Sequence, residues 1–118
     1  MLERDIESWS SRKARDAGWW NRKFKSPGNR SVPDRIFGKG GRIFWVEFKA
    51  TGKKPTELQK EEHDLMRQHG LTVYWTDCRE GFAYIMELES DWLIAPTDSE
   101  GFGVAMGPAG VLLILPSE

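Results

Sequence analysis

The chain has 118 residues, a formal net charge of −1 and a single cysteine, Cys78. That length supports one domain with a modest core, and the lone cysteine excludes an internal disulfide or a cysteine zinc site. There is no run of about 18 apolar residues to span a membrane, and the charged start MLERDIESW lacks the apolar segment of a secretory signal, so a cytosolic protein is expected.

The charge is unevenly distributed. Residues 1–54 carry 14 Lys/Arg against 6 Asp/Glu, whereas residues 55–118 carry 3 against 12. A basic first half points to a polyanionic partner such as nucleic acid. The plainer alternative is that the two halves neutralise each other within the fold.

Residues 3–17 are predicted to form a helix that ends at Gly18 as its C′ residue. Ile6, Trp9, Lys13 and Ala14 fall on one face, and cations at Arg12, Lys13 and Arg15 suit the C-terminal dipole. Glu3 and Glu7, four apart, share a face. WWNRKFK (19–25) reads as a strand, and the following SPGNRS is a loop with a Pro-Gly turn.

Ser31 to Ala50 reads as a β-hairpin turning through Gly38-Lys39-Gly40-Gly41. Residues two apart on a strand share a face, so Glu47 and Lys49 lie with Ile43 and Trp45. Phe44, Val46, Phe48 and Ala50 point the other way, into the core. The hairpin sets Asp34 opposite Val46 or Glu47. Two carboxylates and an ammonium therefore converge on a patch that suits one or two divalent cations.

Thr56-Glu57-Leu58-Gln59 is a capping box after Pro55, opening a helix over 57–69 that stops at Gly70. LTVYWTD (71–77) alternates as a strand. The order α-β-β-β-α-β predicts an α/β fold with a mixed sheet flanked by helices. FAYIMELE is too short to decide between strand and helix. VAMGPAGVLLILP reads as a hairpin around Gly107–Gly110 that extends the sheet or forms a dimer contact.

Asp34, then Glu47-Phe48-Lys49, has the spacing of a PD-(D/E)xK nuclease motif. Phosphodiester hydrolysis near neutral pH needs a hydroxide and relief of charge on the phosphate. A Mg²⁺-type ion held by carboxylates supplies both, and a lysine orients the attacking water or stabilises developing charge. By itself the string is weak, because a surface Glu–Lys pair on a hairpin occurs by chance and contributes almost nothing to stability. Here, however, the charges interrupt an apolar strand.

The runs RKFKSPGNRSVPDRIF, IFWVEFKATGKKPTELQ and LMRQHGLTVYW, in that order, resemble the virus-type replication-repair nuclease (VRR-NUC) domain of the PD-(D/E)xK superfamily. The resemblance covers about residues 3–77; residues 78–118 are read as a C-terminal extension of the same domain, giving one domain over 1–118. It implies a restriction-endonuclease-like core related to archaeal Holliday junction resolvases. It also implies catalytic roles for Glu7, Asp34, Glu47, Lys49 and Gln59, with Asp34, Glu47, the main-chain carbonyl of Phe48 and also Glu7 as metal ligands. Glu3 is the fallback if the first-helix register is off by one turn. Ser31 stands where the family often has Gly, and fits the same loop only with a negative φ.

Gln59 has two candidate roles, as the capping-box partner of Thr56 and as an active-site group. Arg22, Lys23, Lys25, Arg30 and Arg35 surround the hairpin as phosphate contacts, with Lys53 and Lys54 extending the track. Trp19 and Trp20 suit base stacking or, by preference, packing. His63 and His69 read as ordinary surface or boundary histidines.

The functional expectation is a Mg²⁺- or Mn²⁺-dependent endonuclease acting on branched DNA in repair, phage- or prophage-encoded. It is expected to be a homodimer because symmetric resolution of a junction needs two cuts. The alternatives are a nuclease acting on flaps or ends, and a non-catalytic nucleic-acid-binding module.

Overall fold

The computed structural model describes residues 1–29 and 31–90, together with the backbone of three short strands farther on. The chain divides into two compact units, Met1–Ala83 and Tyr84–Glu118. The first carries helix α1 (Glu3–Asp16), strands β1 (Trp20–Lys23), β2 (Arg35–Lys39) and β3 (Arg42–Phe48), helix α2 (Glu57–Gln68), strand β4 (Val73–Thr76) and the start of helix α3 (Arg79–Ser90). The predicted order α-β-β-β-α-β is the observed one, and the elements form an α/β fold with a four-stranded mixed sheet.

The sheet order is β1-β2-β3-β4. The first three strands are antiparallel neighbours, and β4 runs parallel to β3. A parallel partner cannot be reached through a tight turn, and α2 provides the crossover. The hairpin turns at Gly40 and Gly41, whose φ values of 55° and 85° are both positive, as a two-residue primed turn requires. Gly38 belongs to β2 and Lys39 pairs with Arg42, so the turn is tighter than the four residues expected.

The hairpin register places Arg35 opposite Val46, and so brings Asp34 level with Glu47. Asp34 Oδ2 accepts the Phe48 N–H at 2.9 Å. Ser31 has no positive φ, which meets the condition for serine at that position. Asn29 Oδ1 accepts the Ser31 N–H at 2.9 Å and fixes the loop before Asp34.

The alternation of β3 separates two faces. Phe44, Val46 and Phe48 are fully buried. Phe37 stacks on Phe44 with centroids 4.9 Å apart, and Trp19 meets Phe44 edge-on at 5.1 Å. Phe82, from the first turn of α3, packs on Phe37 and Phe48. Aromatic contacts of this kind add to the area-driven stabilisation of roughly 1.5–3 kcal/mol per buried side chain. Trp19 is thus a core residue, whereas Trp20 is half exposed with the Arg22 guanidinium 5.1 Å over its ring.

Helix α1 buries Ile6, Glu7, Ser10 and Ala14. Ile6 and Ala14 lie on the expected face, but Glu7 and Ser10 are buried where Trp9 and Lys13 are expected, so the buried face is rotated toward the polar side of the helix. Trp9 is half-buried between the cations of Lys13 and Arg79. Helix α2 opens on the predicted capping box: Thr56 Oγ1 accepts the Gln59 N–H, and Gln59 Oε1 accepts the Thr56 N–H at 2.9 Å. Gly70, with φ of 83°, follows its C-terminus.

FAYIMELE is helical, as part of α3. In the second unit β5 (Leu93–Ile94), β6 (Phe102–Met106) and β7 (Leu112–Pro116) form a separate three-stranded antiparallel sheet. The predicted C-terminal hairpin is therefore the β6–β7 pair; it does not extend the first sheet. The turn at 107–111 lies outside the described residues.

Gly81 in α3 lies against β4, where an added Cβ would overlap Thr76 Oγ1 and crowd Cys78 Sγ. Thr76 is buried and its hydroxyl bonds the Cys78 carbonyl at 3.0 Å, so it has little room to yield. A helical Gly→Ala change ordinarily stabilises by up to about 1 kcal/mol. Gly81→Ala is expected instead to destabilise by about 1–3 kcal/mol, as overpacking does, in urea denaturation monitored by tryptophan fluorescence.

Candidate active site

Glu47 is on the opposite face of β3 from Phe48 and is only 2 % exposed. Its Oε2 lies 3.6 Å from the Lys49 ammonium, while its Oε1 is buried with no hydrogen-bond partner. Carboxylate oxygens of Glu3, Asp34 and Glu47 all lie within 4.8 Å of one another. Burial, then the adjacent Asp34 carboxylate, pushes the Glu47 pKa up to about 8 despite the opposing pull of Lys49. Glu3 is also raised, first by desolvation and then by Asp34. Three acids with one nearby ammonium are under-neutralised, and the unpartnered Oε1 is an acceptor with nothing to accept. The donor set fits a hard divalent cation, which prefers oxygen ligands.

Phe48 faces the group through its backbone. Its N–H points at Asp34, whereas the neighbouring Lys49 N–H points to the Thr76 carbonyl on β4. The N–H and C=O of one strand residue face the same edge, so the Phe48 carbonyl faces the Asp34 side as well.

The first-helix acid in this group is Glu3, the fallback position, and not Glu7. The sheet register gives the reason. Cross-strand partners share a face, so Lys23, Arg35 and Val46 lie on one face and Glu47 on the other. Glu7 is buried on the Arg35 face. Both its oxygens accept from Lys23 Nζ, at 2.8 and 3.0 Å, and Oε2 also accepts from Arg35 Nε at 3.1 Å. Glu3, one helical turn earlier, meets Asp34 and Glu47 at the end of the sheet.

Arg35 is occupied on both sides, since its Nη1 donates to Asn21 Oδ1 at 2.9 Å and Asn21 Nδ2 donates to the Ser11 carbonyl at 3.2 Å. Of the expected phosphate contacts, Arg35 thus faces inward, whereas Lys23, Arg22 and Lys25 are accessible. Arg30 lies outside the described residues. Gln59 performs its capping role.

His63 departs from expectation: it is buried, with Nε2 unpartnered and its pKa lowered by burial and then by Arg67. It stands four residues after Gln59, on the same helix face, a spacing that could have marked it as inward-facing.

The Glu7 network is a load on the fold. Removing the carboxylate leaves Arg35, four-fifths buried, without its counter-charge. Glu7→Ala is expected to destabilise by about 3 kcal/mol, the lower end of the range for breaking a buried pair because Lys23 is half exposed. Thermal denaturation of the two proteins side by side measures this.

No family model matches the chain. It is 45 % identical over 81 residues to a protein of Acyrthosiphon pisum secondary endosymbiont phage 1 named "Putative nuclease p44", covering 68 % of this chain and 87 % of that one. Among solved structures, one described as a VRR_NUC domain superposes with a TM-score of 0.67 at 24 % identity, covering 72 % of this chain and 94 % of the other. No helix among the described residues is long and apolar enough to cross a membrane. The extent of the phage match shows that the chain belongs to the same family as that phage protein, and the superposition shows that it has the fold of a VRR_NUC domain.

Proposed function

We propose that the protein is a Mg²⁺- or Mn²⁺-dependent endonuclease that hydrolyses phosphodiester bonds in branched DNA, acting as a homodimer. The observation that carries the reading is the group Glu3, Asp34 and Glu47 beside Lys49, with a buried carboxylate oxygen lacking any partner. The phage relative's name supports nuclease activity as such. Four-way junctions are favoured as substrate by the likeness of the sequence to resolvase-related nucleases, and a dimer by the two symmetric cuts that resolution requires.

Asp34, Glu47 and the Phe48 carbonyl would hold the cation, with Glu3 as an exposed and adjustable fourth donor. A divalent ion so placed supplies a bound water of lowered pKa and neutralises phosphate charge. Asp34 is held in place by the Phe48 N–H, which fixes one ligand before any cation arrives. The Lys49 ammonium, only 15 % exposed, stands on the same strand face as Glu47 to orient the attacking water and balance charge that develops on the phosphate. Lys25 and Arg22 meet the DNA backbone at positions that carry no base information. This arrangement suits a nuclease that recognises shape rather than sequence.

Cleavage of a synthetic four-way junction, with linear duplex and flap as comparisons, tests the reading. Asp34→Ala and Glu47→Ala are expected to abolish metal-dependent cutting, and Lys49→Ala to reduce it by at least about a hundredfold, the scale of losing one electrostatic group. Undiminished cutting by either carboxylate variant overturns the site. Glu3→Ala is expected to weaken Mn²⁺ binding in calorimetric titration with little loss of thermal stability. That outcome separates it from Glu7, whose removal is expected to lower thermal stability while leaving the cation ligands in place.

The buried acid also gives the metal-free protein a pH signature. The folded-state pKa of Glu47 is above its ordinary value of 4.5, so across the interval from there to about 8 the folded state retains a proton that the unfolded chain has lost. The contribution of this group to stability therefore falls as pH rises through that window and levels off above it. A Mn²⁺ ion held by Glu47 would require the ionised carboxylate, so its stabilising effect is expected to grow with pH over the same range. Glu47→Gln should remove both the slope and the Mn²⁺ response in thermal denaturation at graded pH.

A further inference from the structure

A cavity of about 660 Å³ opens beside Asp34, walled by Lys23, Phe24, Lys25, Pro27 and Val32. That volume lies within the range of roughly 300–1,000 Å³ common to small-ligand sites. Its construction ties it to the carboxylate group. The Phe24 N–H donates to the Asp34 carbonyl at 2.7 Å, so the Phe24 backbone is held against that of a proposed cation ligand. The outer wall is the small turn closed by the Ser26–Asn29 bridge, with Gly28 at a φ of 79°.

Phe24 is 37 % exposed and belongs to none of the aromatic pairs of the core. The cavity thus offers an aromatic ring and the apolar walls of Pro27 and Val32 to a flat ligand, with the Lys25 ammonium for an anion and Lys23 alongside, its own ammonium bound to Glu7. A nucleobase with its flanking phosphate has that combination of chemistry. A base within a continuous duplex cannot enter, because it remains stacked and paired.

We propose that this cavity receives one unpaired DNA nucleotide adjoining the scissile phosphate, such as one freed from its pair at a branch point, its base stacked on Phe24 and its phosphate near Lys25, and that it thereby confers a preference for DNA with unpaired nucleotides over continuous duplex. The proposal rests on the reading of the neighbouring carboxylates as a nuclease site, since it places the cut next to the captured base. It adds a residue, Phe24, and a structural feature of the substrate that the carboxylates alone do not specify.

The test reads binding, not cutting, so that the two proposals can fail separately. Affinities of the full chain for a fluorescein-labelled single-stranded oligonucleotide and for the matching duplex are measured by anisotropy in chelator and low salt. Phe24→Ala is expected to weaken single-strand binding about tenfold, the scale of one lost base–aromatic stack, and duplex binding less than twofold. Phe24→Tyr, which keeps the ring, should restore the wild-type ratio. Lys25→Ala should weaken both substrates together, as a phosphate contact does. Thermal denaturation of Phe24→Ala should match that of the wild type, because the ring is outside the core; if it unfolds, Phe24→Tyr and a single-strand ligand with one abasic position carry the same comparison.

An unchanged single-strand to duplex ratio in Phe24→Ala, or no penalty at any abasic position, overturns the cavity proposal and leaves the nuclease reading intact. A preserved Phe24-dependent discrimination in a protein that cuts no DNA with any divalent metal overturns the nuclease reading and supports the cavity as a binding site.

Discussion

Strand β3 carries the tension on which the rest of the structure depends. Phe44, Val46 and Phe48 hold it in the core, and strict alternation then commits Glu47 to the other face, where it too is buried. A carboxylate in that position is costly to ionise, and the neighbouring Asp34 raises the cost. The apolar contacts of the alternate residues outweigh it, so the chain folds with an under-neutralised acid in place. Functional sites are where such local conflicts concentrate.

The two acids of α1 show how the same residue type is put to different uses by geometry alone. Glu7 and Glu3 stand one turn apart on one helix, yet the sheet separates their partners. Glu7 is saturated by Lys23 and Arg35 and closes a network that runs through Asn21 to the Ser11 carbonyl. Glu3 stays exposed and meets carboxylates rather than cations. A buried, fully satisfied ion pair braces the helix against the sheet, whereas an exposed acid among acids gains by sharing a cation.

Gln59 and His63 illustrate a similar division along α2. Gln59 satisfies the backbone at the helix start, a local requirement that holds whatever else the side chain does. His63, one turn on, is buried with a ring nitrogen unpartnered, and it feels the charges of Lys49 and Asp34. The helix therefore presents a polar, incompletely satisfied side to the site.

The sequence alone determined the elements as far as β4 and the existence of the hairpin, because both follow from local chemistry, whereas it left FAYIMELE undecided. Glycines that permit positive φ placed the turn within Gly38 to Gly41, period-two alternation sorted Phe44, Val46 and Phe48 from Glu47 and Lys49, and Thr56 to Gln59 announced the second helix. The hairpin left Asp34 opposite Val46 or Glu47, and the observed register chose Glu47. Which first-helix acid joins them was not legible: Glu3 and Glu7 share a helix face, and only the register of β1 and β2 beneath the helix assigns one to each side of the sheet. Arg35, with a basic side chain beside the motif, had the composition of a phosphate contact, but its strand parity turns it inward to Glu7. The cavity at Phe24 likewise depends on a loop closing over Asp34 through a single backbone hydrogen bond. Local propensity and periodicity act within a segment, whereas these outcomes depend on how one segment is rotated against another, and that is decided only when the core packs.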